Sequence, residues 1–116
     1  MSERLLKSLY DIKAALDEIA LFFEGREMRF DLYVKDIQLK RAVERNLEII
    51  GEAVNRILKE DSSIGITDAH RIVGLRNYII HGYDSITDEN IWAIVVNHLP
   101  KLQEEVNTLI ASIDQT

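Results

Sequence analysis

The amino-acid sequence predicts an all-α protein, an antiparallel bundle of four to five helices that forms a single domain over residues 1–116. Apolar residues recur at intervals of three and four along the chain, which is the spacing of amphipathic helices. One proline and five glycines in 116 residues leave few positions at which a helix must stop. No segment of useful length alternates apolar and polar residues as a strand does. The chain is long enough to bury a substantial hydrophobic core.

The first predicted helix and the long second helix each carry one apolar stripe. The stripe on the first helix consists of Leu5, Leu9, Ile12, Leu16, Ile19 and Phe23. Gly25 is the predicted C-terminal stop of this helix, because glycine readily takes the left-handed conformation found there. The stripe on the second helix consists of Leu39, Val43, Leu47, Ile50, Val54 and Ile57. Both stripes are expected to face the core.

A polar stripe on the second helix is interrupted by a glycine. It consists of Glu44, Glu48, Gly51 and Asn55. Glycine within a helix costs about 1 kcal/mol relative to alanine, which is easier to understand if another backbone approaches closely at that point. A solvated face with one tolerated glycine explains the pattern equally well. For the glutamates themselves, including Glu52, a solvated charged face is the favoured interpretation.

Two further helices follow the polar loop DSSIGI. Thr67 is the predicted N-cap of the third helix, which is expected to end near Gly82. Thr87 is the predicted N-cap of the fourth helix, and the two acidic residues after it suit a helix N-terminus. The apolar stripe of the fourth helix consists of Ile91, Val95, Leu102, Val106, Leu109 and Ile113. Pro100 interrupts that stripe, so a kink or a division into two shorter helices is expected.

Composition excludes several classes of function. The chain has no cysteine, so disulfides, thiolate metal sites and a cysteine nucleophile are excluded. Neither a signal peptide nor a membrane span is expected, because no apolar run is long enough, and a cytoplasmic protein is predicted. The net charge of −6 argues against sequence-blind nucleic-acid binding. A small basic site is still compatible with it, since residues 66–83 are locally neutral to basic.

The segment RNYIIHGY, residues 76–83, groups side chains that can act together on a phosphodiester. Arg76 can hold a phosphate by paired hydrogen bonds, and His81 can move a proton near neutral pH. Asn77 lies one turn before His81 on the same helix face and can orient the imidazole. Gly82 would release the chain from the helix and free Tyr83 to turn toward the same place. These groups suit attack of an RNA 2′-hydroxyl on its adjacent phosphate, a reaction that needs no metal.

From spacing alone, the plainer alternative is favoured. It is a partly buried His81 that caps a helix end, beside Arg76 in a surface ion pair. The other histidines, His70 and His98, show no spacing of a metal site, so no metal is expected. Trp92 is expected in the core or at a dimer contact.

The segment RNYIIHGY resembles the R-N-x-x-x-H-x-Y signature of the HepT family, within the HEPN superfamily of small helical domains. Arg76, Asn77, His81 and Tyr83 fill that signature. AVERNLEIIGEAVNRI, residues 42–57, is similar to the family's second helix with its I-G-E-A core. DIKAALDEIALFFEG resembles its first helix, and IWAIVVNHLPKL resembles the segment after the motif. The resemblance covers nearly the whole chain.

The resemblance implies the toxin of a type VII-like toxin–antitoxin pair, a homodimeric, metal-independent endoribonuclease without a cofactor. Its implied catalytic residues are Arg76 and His81, with Asn77 in a supporting position. An MntA-like nucleotidyltransferase antitoxin, encoded beside the toxin, would silence it by transferring AMP to Tyr83. A different class of function stays open: a non-catalytic helical module that docks to such a nucleotidyltransferase. The residues do not separate these two, because both need the same groups.

Overall fold

The computed structural model describes residues 3–82 and 86–114, and the regular elements in these ranges are helical. The all-α prediction is therefore confirmed. The six α-helices are α1 (Glu3–Phe23), α2 (Phe30–Lys35), α3 (Ile37–Glu60), α4 (Ala69–His81), α5 (Asp88–Ala93) and α6 (Leu99–Asp114). A π-helical turn over Ile94–His98 joins α5 to α6. None of the helices in the described ranges has both the length and the apolar character that a bilayer span needs.

Helices α1 and α3 form the antiparallel centre of the bundle. Near the start of α1 and the end of α3, Nε of Arg56 donates to Oγ of Ser8 at 3.3 Å. Farther along the pair, the amide nitrogen of Asn46 donates to the carbonyl oxygen of Ala15 at 3.1 Å and to the carboxylate of Glu18 at 2.9 Å. Asn46 is buried, so these bonds satisfy an amide that would otherwise destabilise the core.

The core lies where the predicted apolar stripes meet. All six residues of the α3 stripe are buried, as are the first five of the α1 stripe, and Phe23 packs against them half-buried. From the C-terminal helices, the core takes Ile91, Val95, Leu99, Leu102, Val106 and Ile110. The predicted stripe on this segment is thereby confirmed in its main members, while Leu109 and Ile113 are half-buried at the margin of the core.

The short helix α2 was not predicted, because six residues are too few for a helical periodicity to show. Its Tyr33 is buried beside Trp92, with ring centroids 5.1 Å apart. Phe23 and Phe30 also contact Trp92, at 5.9 and 6.2 Å between centroids. Trp92 thus belongs to an aromatic cluster at the edge of the core, one of its two expected places.

Pro100 divides the last predicted helix, as expected, and the form of the division is a π-helical turn. Proline lacks an N–H, and its ring collides with the carbonyl four residues earlier in a regular helix. Here the residue before it, Leu99, donates its N–H to the carbonyl of Ile94, five residues back. The wider turn relieves the collision without ending the helical path. The predicted N-cap at Thr87 is confirmed, since its side chain accepts from the N–H of Asn90 at 3.1 Å.

The start of α4 differs from the prediction, and its end agrees. Thr67 is not the N-cap: α4 begins at Ala69 after Asp68, whose side chain makes no capping hydrogen bond. As a cap, the hydroxyl of Thr67 would accept from a backbone N–H, but here it donates to the carboxylate of Glu105 on α6, and hydrogen bonds to a charged acceptor are the stronger kind. At the other end, Gly82 has φ of 63° and terminates the helix, as the sequence predicted.

Candidate functional site

Arg76 lies on the face of α4 that packs against α3, at the position of Gly51. A Cβ atom placed on Gly51 would lie 2.2 Å from Cβ of Arg76, 2.9 Å from its Cγ and 3.2 Å from the carbonyl oxygen of Ile72. All three distances are shorter than ordinary van der Waals contact. The two helices therefore approach as closely as they do only because residue 51 has no side chain. Of the two interpretations that the sequence left open for Gly51, close approach is the one confirmed.

The guanidinium of Arg76 is half-buried and has little of its hydrogen-bonding capacity in use. Its Nη1 donates to Oδ1 of Asn77 at 2.8 Å. Its Nε is buried and has no hydrogen-bond partner among the described residues. None of the ion pairs in the described part of the chain involves it. The surface ion pair offered as the plainer alternative is thus not found among the described residues.

A half-buried arginine whose described neighbours include no carboxylate partner is costly to maintain. Charged groups taken out of water are normally paired or hydrogen-bonded, and a buried donor without an acceptor costs about 1–3 kcal/mol. The guanidinium therefore retains donors that an external anion could accept. Paired hydrogen bonds to a phosphate or carboxylate are what guanidinium geometry favours.

Asn77 accepts a hydrogen bond from Arg76 in this structure. Its side-chain oxygen accepts the Nη1 hydrogen bond, which holds the guanidinium near the surface of α4. The hydrogen bond from Asn77 to the imidazole of His81, which the spacing of four residues indicates, stays a prediction. The hydrogen bond between sequence neighbours was not foreseen, because adjacent residues project from a helix about 100° apart and long side chains must bend to meet.

His81 is the last residue of α4 and is exposed. It is not the partly buried histidine of the plainer alternative. Five residues separate it from Arg76, which corresponds to about 7.5 Å along the helix axis. The chain leaves the helix directly after it, where the N–H of Gly82 bonds back to the carbonyl of Ile79 at 3.2 Å. Tyr83 lies outside the described residues, so the role predicted for it depends on the motif alone.

The carboxylates of Glu44 and Glu48 form ion pairs with arginines of their own helix, α3. The side chains of Glu44 and Glu48 are 23% and 21% exposed, and they lie on the stripe of Gly51. Each accepts from an exposed arginine three residues earlier, Arg41 at 2.9 Å and Arg45 at 2.8 Å. Arginine at the i−3 position was the available signal for this arrangement. The paired arginines are exposed, so these ion pairs lie at the protein surface, as expected of a charged solvated face.

The other histidines do not join the site. His98 has its Nδ1 3.5 Å from the carboxylate of Asp68 at the start of α4, and His70 is exposed on the first turn of that helix. Within the described residues, no group of three or more histidine, aspartate or glutamate side chains is placed to hold a metal ion.

The chain matches the model of a known protein family and is similar to several proteins that are provisionally named as RNases. The family described as Ribonuclease HepT-like matches residues 12–109. A protein of Methanocaldococcus jannaschii, provisionally named an RNase, is 37% identical over 108 residues, covering 91% of this chain and 87% of that protein. A second such protein of that archaeon is 34% identical over 109 residues, covering 91% and 97%.

A bacterial relative extends the comparison. This protein of Caldanaerobacter subterraneus, also provisionally named an RNase, is 34% identical over 87 residues, covering 70% of this chain and 73% of its own. No solved structure matches the chain significantly. The family match covers most of the chain, from the first helix to the last, and includes the segment of Arg76 and His81. The chain belongs to the HepT-like ribonuclease family.

Proposed function

We propose that this protein is a metal-independent endoribonuclease, the toxin of a pair whose antitoxin is a nucleotidyltransferase. The observation that carries the proposal is the guanidinium of Arg76, half-buried, without an ion pair among the described residues and with a buried Nε–H that has no acceptor. Such a group is prepared to bind an anion, and the phosphodiester of RNA is the anion that the family implies.

The proposed reaction is an intramolecular transfer within the RNA. A base removes the proton of the 2′-hydroxyl, and the oxygen attacks the adjacent phosphorus. The bond to the 5′-oxygen breaks, and an acid supplies that oxygen with a proton. The products are a 2′,3′-cyclic phosphate and a free 5′-hydroxyl. Arg76 would hold the non-bridging oxygens as negative charge accumulates on them, and His81 would transfer the protons.

A single histidine per chain cannot hold both protonation states at once. Two copies of the site, brought together by a two-fold axis, would supply one neutral imidazole and one imidazolium. We therefore expect a homodimer in which α4 lies at the interface and the two RNYIIHGY segments face one cleft. Sedimentation at micromolar concentration tests this expectation, and a monomer there would remove the physical basis of two-histidine catalysis.

Cleavage of RNA in the presence of EDTA is the test of the activity. His81→Ala is expected to lower the rate by roughly 10²–10⁴-fold, the usual contribution of a general acid or base. Arg76→Lys is expected to be damaging as well, since an ammonium does not reproduce the planar fork on a phosphate. The matched controls are His70→Ala and Arg71→Lys, which change exposed residues of the same helix.

Two outcomes would count against the proposed chemistry. The first is cleavage that persists in both site variants, and the second is cleavage that depends on added Mg²⁺. Wild-type protein that binds a nucleotidyltransferase but cuts no RNA would instead identify a binding module, which the net charge of −6 accommodates more easily than RNA binding.

Control of the toxin is proposed to lie at Tyr83. One AMP joined to its phenol adds a negative charge and a bulky base to the chain two residues after His81, and the charge would compete with RNA phosphate for Arg76. Wild-type protein incubated with the nucleotidyltransferase and ATP should gain the mass of AMP and lose activity. Tyr83→Phe should gain none, whereas Tyr78→Phe on α4 should behave as wild type. An equal mass gain in Tyr83→Phe would place the modification elsewhere.

A further inference from the structure

Gly51 is buried on α3 at a point where α4 passes close to it. Nothing could be added at this position without moving the neighbouring helix, because the nearest atom is Cβ of Arg76, at 2.2 Å from a Cβ on residue 51. The position of a Cβ atom follows from the backbone and does not change with side-chain rotation. A methyl group at residue 51 would therefore displace the backbone of α4 by about 1.3 Å, the difference from an ordinary contact of about 3.5 Å.

The close approach is specific to this glycine. Gly74, the glycine within α4, has no atom within 4 Å of the place a Cβ would occupy, and the same holds for Gly65 in the loop before α4. At neither position does packing require glycine. At residue 51 the two closest atoms belong to the root of Arg76, a residue of the candidate site, and the carbonyl oxygen of Ile72 is the next, at 3.2 Å.

Arg76 is thus constrained at both ends. Gly51 sets how close its Cβ lies to α3, and Asn77 holds its Nη1 at 2.8 Å. Between these points, the buried Nε–H is kept out of water. We propose that Gly51 is a positioning residue, which sets the depth of Arg76 against α3 so that its guanidinium presents donors to an RNA phosphate. This inference rests on the proposed function for its ligand, but its geometry can be measured without catalysis.

The experiment compares Gly51→Ala with Gly65→Ala. Gly65 is the control because the same methyl group enters open space away from the helix of the site. Three quantities are measured: the NMR signal of the Arg76 Nε–H, assigned by its loss in Arg76→Lys; the affinity for an RNA oligonucleotide protected by 2′-O-methyl groups; and the cleavage rate of unprotected RNA.

Gly51→Ala should shift the Nε–H signal and weaken RNA binding about tenfold, the value of one charge-assisted hydrogen bond. Its cleavage rate should fall by about 10²-fold, because misplacement by about 1 Å has effects of that size. Gly65→Ala should leave all three quantities at wild-type values. A folded Gly51→Ala variant with an unchanged Nε–H signal, or with wild-type RNA affinity, would overturn the proposal.

A second variant covers the case in which Gly51→Ala does not fold. The double variant Gly51→Ala/Arg76→Gly removes the opposing Cβ and should fold if the root of Arg76 is what occupies the space. Failure of the double variant to fold would overturn the proposal. Wild-type protein that neither binds nor cleaves RNA would refute the proposed function instead, and the Nε–H signal would then decide the positional effect of Gly51 by itself.

Discussion

Replacing Arg76 with methionine should make the protein more stable while removing its activity. Methionine has a similar length and flexibility but neither a charge nor a donor. The change eliminates a buried Nε–H that has no acceptor among the described residues, which is worth roughly 2 kcal/mol. It also removes the Nη1 hydrogen bond to Asn77, worth about 1 kcal/mol. Asn77 is half-buried, so water can reach it in the variant.

The balance is a gain of about 1 kcal/mol in the free energy of unfolding, or about 4 °C in Tm for a chain of this size. Chemical denaturation measures the gain, at one protein concentration because a dimer's stability depends on concentration. Arg71→Met is the matched control: it changes an exposed arginine on the same helix, and a change within about 0.5 kcal/mol is expected.

A clear loss of stability would refute this reasoning. If Arg76→Met unfolds about 1 kcal/mol more easily than wild type, the arginine stabilises the fold, and the lack of an ion pair among the described residues no longer indicates a function. A gain of equal size in Arg71→Met would be equally damaging, since it would reflect a general benefit of removing positive charge. A gain confined to Arg76→Met, with cleavage lost, is the result expected of a side chain kept for its ligand.

Three further changes test the structure away from the site. Tyr33→Phe should raise the free energy of unfolding by about 1 kcal/mol, because the hydroxyl is buried and has no hydrogen-bond partner among the described residues. Burial also raises the pKa of this hydroxyl. A lower free energy of unfolding in the variant, measured by chemical denaturation, would reveal a hidden acceptor. Asp36→Ala should lower Tm at pH 7, since the carboxylate caps α3 by accepting from the N–H of Leu39 at 3.0 Å. That hydrogen bond lowers the pKa of Asp36. The stability that the ionised carboxylate contributes is therefore complete above the ordinary pKa of about 3.9, and it is lost as the pH falls through the lower pKa of the folded protein. The Tm difference from wild type should therefore shrink in acid, and a constant difference from pH 7 to pH 2 would contradict the capping role. Thr67→Val should lower Tm because it removes the hydroxyl that donates to Glu105, whereas Thr67→Ser should retain wild-type stability; equal melting of the two variants would show that the bond contributes nothing.

The apolar periodicity predicted most of the fold because it operates along one helix at a time. Leu9 and Ile12 on α1, like Val43 and Val54 on α3, are buried as their spacing required. Helices of fewer than two turns are too short to be detected by apolar periodicity. The six residues of Phe30–Lys35 complete fewer than two turns, so α2 had no periodic signal to reveal it.

Helix capping was predictable where the threonine side chain bonds to an N–H of the helix that follows it. It was unpredictable where a residue distant in sequence competes for that side chain. Thr87 caps α5 with its own side chain, as its sequence context indicated. Thr67 was a candidate of equal quality, yet its hydroxyl turns to Glu105, a residue 38 positions away. Sequence spacing contains no information about that carboxylate, which reaches Thr67 only because α6 packs alongside the start of α4.

The sequence by itself determined that the chain is a helical bundle, where its main apolar stripes lie and that Arg76 and His81 share one helix that stops at Gly82. Those properties follow from local geometry: 3.6 residues per turn, the conformational freedom of glycine and the missing N–H of proline. The tertiary structure decided why Gly51 is a glycine and how Arg76 is held. A Cβ on Gly51 would lie 2.2 Å from Cβ of Arg76, 25 residues along the chain, and that proximity arises from the packing of two helices. Whether a charge finds a partner likewise depends on every neighbour that folding brings to it.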